Sequence, residues 1–326
     1  MDLSSLPARV GSAVSRALRP AFTTTRFLAS VMIPVSLAVL LLSKSGILAI
    51  FARALDPIMR LIGLPGEASL VFISSMLLNI YSAIAVIQNL DLSAREVIIL
   101  ASMCLIAHNL IVECTVMKKT GSSASKMLLL RVGVALGTGW LLNLMLPGGY
   151  EPFTAHAVAA PGTGEALGLD LIQLPSILGA WAMDSGALIL KIALIVTGLM
   201  IIQKILEEFG IMELLGKAMF PIMRVLGLPS SAGFLWIVAN VVGFSYGSAI
   251  MIDRSDSGKL TLTEADLFNH HASINHSMLE DTLLFAAIGV PPLLSLLPRL
   301  IMAIIVVWLE KARRALFRRS FRIGTM

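Results

Sequence analysis

The chain has 326 residues, 57% of them hydrophobic and 14% charged, with a net charge of +5. A mean hydropathy of +0.87 leaves too little polar surface for a soluble globule. The basic excess gathers near the C-terminus, at Lys311, Arg313, Arg314, Arg318, Arg319 and Arg322, which argues for a lipid-facing cytoplasmic tail and against a nucleic-acid surface.

In chain order, a basic segment at 1–26 precedes the first apolar run, 27–44. No small-residue cleavage site follows that run, so it reads as an anchor and not a signal peptide. A membrane crossing needs about 20 apolar residues. Segments of that kind fall near 27–44, 95–116, 127–147, 184–203, 266–289 and 291–309, predicting six crossings. Two further apolar stretches, 67–90 and 230–252, are interrupted halfway by Asn79, Tyr81 and Ser82 and by Gly243, Ser245, Tyr246 and Ser248. Both are expected to be re-entrant hairpins. The stretches before them, 46–62 and 207–226, are amphipathic and predicted to lie along the interface. Gly133 and Gly137 have the spacing of close helix packing. Cys104 and Cys114 lie ten residues apart on one predicted helix, roughly 15 Å at the helical rise, too far to bridge.

The chain also repeats itself about 164 residues on. Pro57, Arg60, Gly63, Leu64 and Pro65 return as Pro221, Arg224, Gly227, Leu228 and Pro229. The match drifts slightly through Ser93 to Glu96 against Thr261 to Glu264, Glu113 against Glu280, and Arg131 to Trp140 against Arg299 to Trp308. Each Gly-Leu-Pro is expected to stop a helix and turn the chain into the membrane. Ser93 with Glu96, and Thr261 with Glu264, are predicted capping boxes.

The linker at 148–183 carries Glu151, Glu165 and Asp170 but no lysine or arginine, so it is expected outside. With the N-terminus inside, three crossings precede it. The predicted fold is therefore an all-α polytopic membrane protein of two inverted repeats, each about three transmembrane helices plus one re-entrant hairpin. The first repeat spans 27–147, the second 184–309, and 310–326 is the cytoplasmic tail. Lys191 is expected to snorkel or to pair with Asp184.

Unwound backbone at membrane depth must be buried in protein or line a polar cavity. The hairpin residues Asn79, Tyr81, Ser82, Asn240, Ser245, Tyr246 and Ser248 are thus candidates for binding a solute, or else satisfy their own helices. On the following helices His108 with Asn109, and Asn275 with His276, occupy matching positions. Asn109 and Glu113 are predicted to share a helix face, as are His276 and Glu280. His108, His270, His271 and His276 fall within predicted membrane segments, where an ionisable group points to function. Glu113 with Arg131, and Glu280, next to Asp281, with Arg299, are either buried ion pairs or proton- and substrate-handling groups. His271 with Asn275, or His276 with Glu280, offers only mixed metal ligands, so a metal site is left open.

The paired Gly-Leu-Pro motifs, the interruptions at Asn79 to Ser82 and Phe244 to Ser248, and His108–Asn109 with Asn275–His276 resemble the nucleoside recognition, or Gate, domain proteins. The resemblance covers about 45–147 and 205–309. Related segments occur in concentrative nucleoside transporters, ferrous-iron permeases and spore maturation membrane proteins. The chain lacks the Gln-Thr-Glu signature of the nucleoside carriers and the cysteine-bearing gate and GTPase domain of the iron permeases. Neither substrate carries over. The resemblance implies an inner-membrane protein on a transport-like scaffold.

The leading expectation is a secondary transporter of a small polar solute, nucleoside-like or otherwise, coupled to protons through the histidines. A non-transporting membrane partner of another complex and a divalent-metal permease are the alternatives. No P-loop is present, no cofactor is expected, and no nucleophile and oxyanion arrangement points to an enzyme. The partners are the lipid bilayer, the solute, and a second copy or a membrane partner protein.

Overall fold

The computed structural model describes residues 6–44, 47–148, 173–258 and 260–323. Among the described residues the fold is all-helical. The helices are α1 (Leu6–Lys44), α2 (Ile47–Leu61), α3 (Ala68–Leu77), α4 (Ile80–Ile87), α5 (Ala94–Ile106), α6 (Leu110–Lys119), α7 (Ala124–Met145) and α8 (Leu174–Glu208). There follow α9 (Ile211–Ala218), α10 (Phe220–Val225), α11 (Gly233–Val241), α12 (Phe244–Asp256), α13 (Leu262–Ala272), α14 (Met278–Ala287) and α15 (Pro292–Ile323).

Among the described residues, five helices are long and apolar enough to cross a membrane, counting α5 and α6 as one through its break. The expected sixth crossing, 266–289, is not continuous. It is α13 and α14, separated by a non-helical stretch at 273–277. The helix predicted at 95–116 is broken in the same way, between Ile106 and Leu110. In both cases a residue other than glycine sits in the left-handed region: Asn109 and Ser277, each with φ 47°. This conformation is costly for an L-residue and persists only where surroundings hold it. Here the Asn109 N–H donates to the Ser75 carbonyl (2.9 Å) and the Ser277 N–H to the Ala239 carbonyl (3.0 Å). The expected faces, Asn109 with Glu113 and His276 with Glu280, therefore do not exist as one continuous helix surface.

The two interrupted apolar stretches fold back as hairpins. α3 packs on α4, and α11 on α12. A Cβ on Gly247 would stand 3.1 Å from that of Ala239, so the second hairpin closes on a small-residue contact. Asn79 turns the first: its extended backbone precedes α4 and its side chain accepts the Ser82 N–H at 2.9 Å. Gly243, with φ 115°, turns the second. Both capping boxes form at Ser93 and Thr261. Gly63 and Gly227 end α2 and α10 in left-handed conformation, with Leu64 N–H to Met59 (3.0 Å) and Leu228 N–H to Met223 (2.8 Å) closing matching Schellman turns.

α5 lies at the centre. Its residues from Ile99 to Ile106 are all buried, as expected of a helix apolar on every side. α7, α8 and α15 lie outside it and expose Leu129, Leu144, Leu194 and Leu309, as a lipid-facing surface requires. α1 runs antiparallel to α8. Arg9 and Arg16 near its start pair with Glu208 at the end of α8 (2.9 and 2.6 Å), while Ser36 near its end accepts from Trp181 (3.0 Å). α7 is likewise antiparallel to α15: Lys126 near its start pairs with Glu310 at 3.0 Å, while Gly139 near its end packs on Met103, whose neighbour Ser102 donates to the Leu294 carbonyl near the start of α15 (3.3 Å).

Two further expectations are corrected, at Gly133 with Gly137 and at Lys191. Residues 6–26 of the basic segment form the first turns of a 39-residue helix, about 58 Å long and well beyond the roughly 30 Å of a hydrocarbon core. The tail from residue 310 continues α15, and Arg313 and Arg314 bind Glu310. A Cβ at Gly133 or Gly137 meets nothing within 4 Å, so that spacing marks no close packing here. The close approaches lie at Gly139, against Met103 and Ile62, and at Gly216 with Gly233, backbone to backbone. Lys191 donates to the Ala287 carbonyl at 2.9 Å and not to Asp184. Cys104 and Cys114 are free and buried. Most of the linker expected at 148–183, with its acidic residues, lies outside the described residues.

Candidate functional site

The four breaks converge. The starts of α4, α6, α12 and α14 surround a cavity of about 370 Å³, lined among others by Asn79, Tyr81, His108, Asn109, Glu113, Tyr246, His276, Glu280 and Asp281. A helix start presents backbone N–H groups without intrahelical partners and a partial positive charge. The chain sets carboxylates there: Glu113 in the first turn of α6, and Glu280 and Asp281 in that of α14.

Each half supplies the same set. His108 and His276 immediately precede the left-handed residues. Each turns Nδ1 to the carbonyl four residues back, Cys104 at 3.1 Å and Ala272 at 2.6 Å. A ring nitrogen facing a carbonyl donates its N–H, which turns each Nε2 away from the helix and toward the other half. The two Nε2 atoms stand 3.1 Å apart, and both face Glu113 Oε1, at 3.2 Å from His108 and 3.4 Å from His276. The rings lie 4.9 Å centre to centre, with Phe244 5.2 Å from His276.

Behind the carboxylates stand two fully buried arginines. Arg131 meets Glu113 Oε2 at 2.6 Å and donates from Nε to the Ile106 carbonyl at 2.9 Å. Arg299 meets Asp281 Oδ2 at 3.0 Å and donates to Thr282 Oγ1 at 3.3 Å. The partner of Arg299 is thus Asp281 and not Glu280. The repeat register at this point is one residue longer than the match of Glu113 to Glu280 predicts. His108 corresponds to His276, Asn109 to Ser277 and Glu113 to Asp281. Glu280 instead accepts a hydrogen bond from Tyr81 across the cavity, joining the first hairpin to the second half.

Other expected site residues lie elsewhere. Ser82 is buried in the cap of α4. Asn240, Ser248 and Asn275 are buried but do not line the cavity. His271 accepts from Trp236 at 2.9 Å, and Asn275 beside it has neither amide atom hydrogen-bonded among the described residues. His270 belongs to a different cluster, with Nδ1 on the Asp266 carbonyl (2.6 Å) and Nε2 3.7 Å from Glu310, whose carboxylate also receives Lys126, Arg313 and Arg314. The Ser245 side chain lies outside the described residues. Gly243, Phe244 and Ser277 line the cavity without having been expected there. The register of Arg131 with Arg299 would have led to Ser277, since it places that residue opposite Asn109.

Among the described residues, two groups have donor sets fit for a metal. One ligand atom from each of His108, His276 and Asp281 falls within 4.8 Å of the others, and likewise for Asp266, His270 and Glu310. The second group is occupied by three basic side chains; in the first, the two histidine Nε2 atoms face each other and Glu113 Oε1.

Residues 25–123 match the family described as nucleoside recognition, or Gate. The chain is similar to the uncharacterized membrane protein YvoD of Bacillus subtilis (strain 168), 32% identical over 290 residues that cover 89% of this chain and 91% of the relative. No solved structure matches.

Proposed function

The chain belongs to the nucleoside recognition (Gate) family of multi-pass membrane proteins, and from that premise we propose that it is a secondary transporter of a small polar solute. The observation that carries this reading is the open cavity of about 370 Å³ lined by four interrupted helices from both halves. Its size falls in the range of small-molecule sites, roughly 300–1,000 Å³. Broken helices around a shared site are the construction that alternating access uses.

The two halves, 27–147 and 184–309, are read as inverted repeats. The antiparallel pairing of α1 with α8 and of α7 with α15 supports this, since each pair holds corresponding positions in the two halves. Both termini are assigned to the cytoplasm from the basic ends and the acidic linker. Solute would be held by Asn79, Tyr81, Asn109, Tyr246 and Glu280. A planar, polar solute such as a nucleoside suits the aromatic rings of Tyr81, Phe244 and Tyr246 with amides beside them. Coupling to protons would run through His108, His276 and Glu113, while His270 and His271 stand apart.

Uptake of radiolabelled nucleosides, amino acids and organic acids into proteoliposomes tests the proposal. One class is expected to accumulate, and Tyr81→Phe to lower its uptake roughly tenfold, the scale of one lost hydrogen bond to a charged group. Absence of uptake across the panel, with a second protein co-purifying in mild detergent, would replace transport with a partner role.

A further inference from the structure

We propose that His108 Nε2, His276 Nε2 and Glu113 Oε1 form a binding site for a first-row divalent transition cation, with Asp281 as the fourth ligand. The site does not rest on the transport reading.

Three atoms able to ligate a metal lie within 3.1–3.4 Å of one another. Their lone pairs repel unless something positive lies among them. A single proton on one Nε2 points along one line, so it serves one neighbour well and leaves the other facing a lone pair. A cation facing all three satisfies them together. In tetrahedral coordination at about 2.0–2.1 Å per ligand, ligand atoms stand roughly 3.3 Å apart. The observed separations bracket that spacing.

The surroundings are those of a built site. Both histidines donate Nδ1–H to backbone carbonyls, which fixes ring orientation and leaves Nε2 outward, the usual support for a ligating imidazole. Arg131 holds the other oxygen of Glu113, and Arg299 holds Asp281. The carboxylates are thereby oriented, while Glu113 Oε1 stays on the histidine side. All four ligand residues are at most 7% exposed. Two imidazoles with carboxylates favour zinc, cobalt or ferrous iron over magnesium or calcium, which prefer all-oxygen shells. The ligands come from both halves, so the bound ion ties the start of α6 to the start of α14.

Purified full-length protein in detergent is titrated with Co²⁺ and followed by the visible absorption of low-coordinate cobalt, with Zn²⁺ displacement and Mg²⁺ as a control. One cobalt per chain is expected, displaced by Zn²⁺ and indifferent to Mg²⁺. His108→Gln and His276→Gln are each expected to weaken binding at least tenfold, and His271→Gln to leave it unchanged. Unchanged binding in His276→Gln overturns the site. So does a lack of saturable Co²⁺ or Zn²⁺ binding by the unmodified protein, which decides the matter even where a variant fails to fold. Cobalt binding without solute uptake keeps the site and removes transport; uptake without cobalt binding does the reverse.

Discussion

Arg131 and Arg299 are fully buried, and each is tolerable only through its carboxylate. Removing one partner of a buried pair strands the other charge, at a cost of about 3–5 kcal/mol, whereas removing both together is far milder. Arg131→Met is therefore expected to destabilise the protein on that scale, and Arg131→Met with Glu113→Gln to recover much of the loss, read as unfolding of the purified protein in detergent. Equal losses in the single and double variants would show that Arg131 acts through the Ile106 carbonyl instead. The need for such pairs was legible from the sequence, since charges in an apolar chain must be compensated. Which carboxylate served Arg299 was not legible, because Glu280 and Asp281 are adjacent and only the break before Met278 sets which one faces the arginine.

The elements divide between those with local punctuation and those without. Gly63 and Gly227 stop their helices through left-handed glycines, as the repeated Gly-Leu-Pro motifs predict. At Gly63, with φ 75°, a Cβ would meet the Asn143 side chain within 3 Å. Gly63→Ala is thus expected to cost about 1–3 kcal/mol from strain and crowding, while Gly133→Ala, with open space around it, stays within about 0.5 kcal/mol. Thermal unfolding of the two variants side by side checks this, and comparable behaviour would remove the turn's special role. The breaks at Asn109 and Ser277 had no such signal. Neither glycine nor proline marks them, and the distant carbonyls of Ser75 and Ala239 hold them in place.

Across the whole molecule, α1 with α8 and α7 with α15 run antiparallel, so a two-sided topology follows if the halves are inverted. Cys104 and Cys114 are buried and leave a quiet background for labelling. A cysteine at Ser176, at the start of α8, is expected to react with a membrane-impermeant thiol reagent from outside intact cells. One at Lys119, at the end of α6, is expected to react only after the membrane is opened. Labelling of both from the same side would remove the inverted arrangement.

Composition and hydropathy by themselves determined a multi-pass helical membrane protein, because an apolar chain of this length can satisfy its backbone in lipid only through helices or a closed barrel. The capping boxes and the Gly-Leu-Pro stops were determined locally as well, each being written within a few residues, and the repeat was legible by comparing segments about 164 residues apart. The tertiary structure alone decided which polar residues meet. It brought His108, Glu113, His276 and Asp281 together while leaving His270, His271 and Asn275 apart. The physical reason is that the left-handed breaks are imposed by contacts between elements distant in sequence, and a one-residue change at each break rotates every side chain that follows.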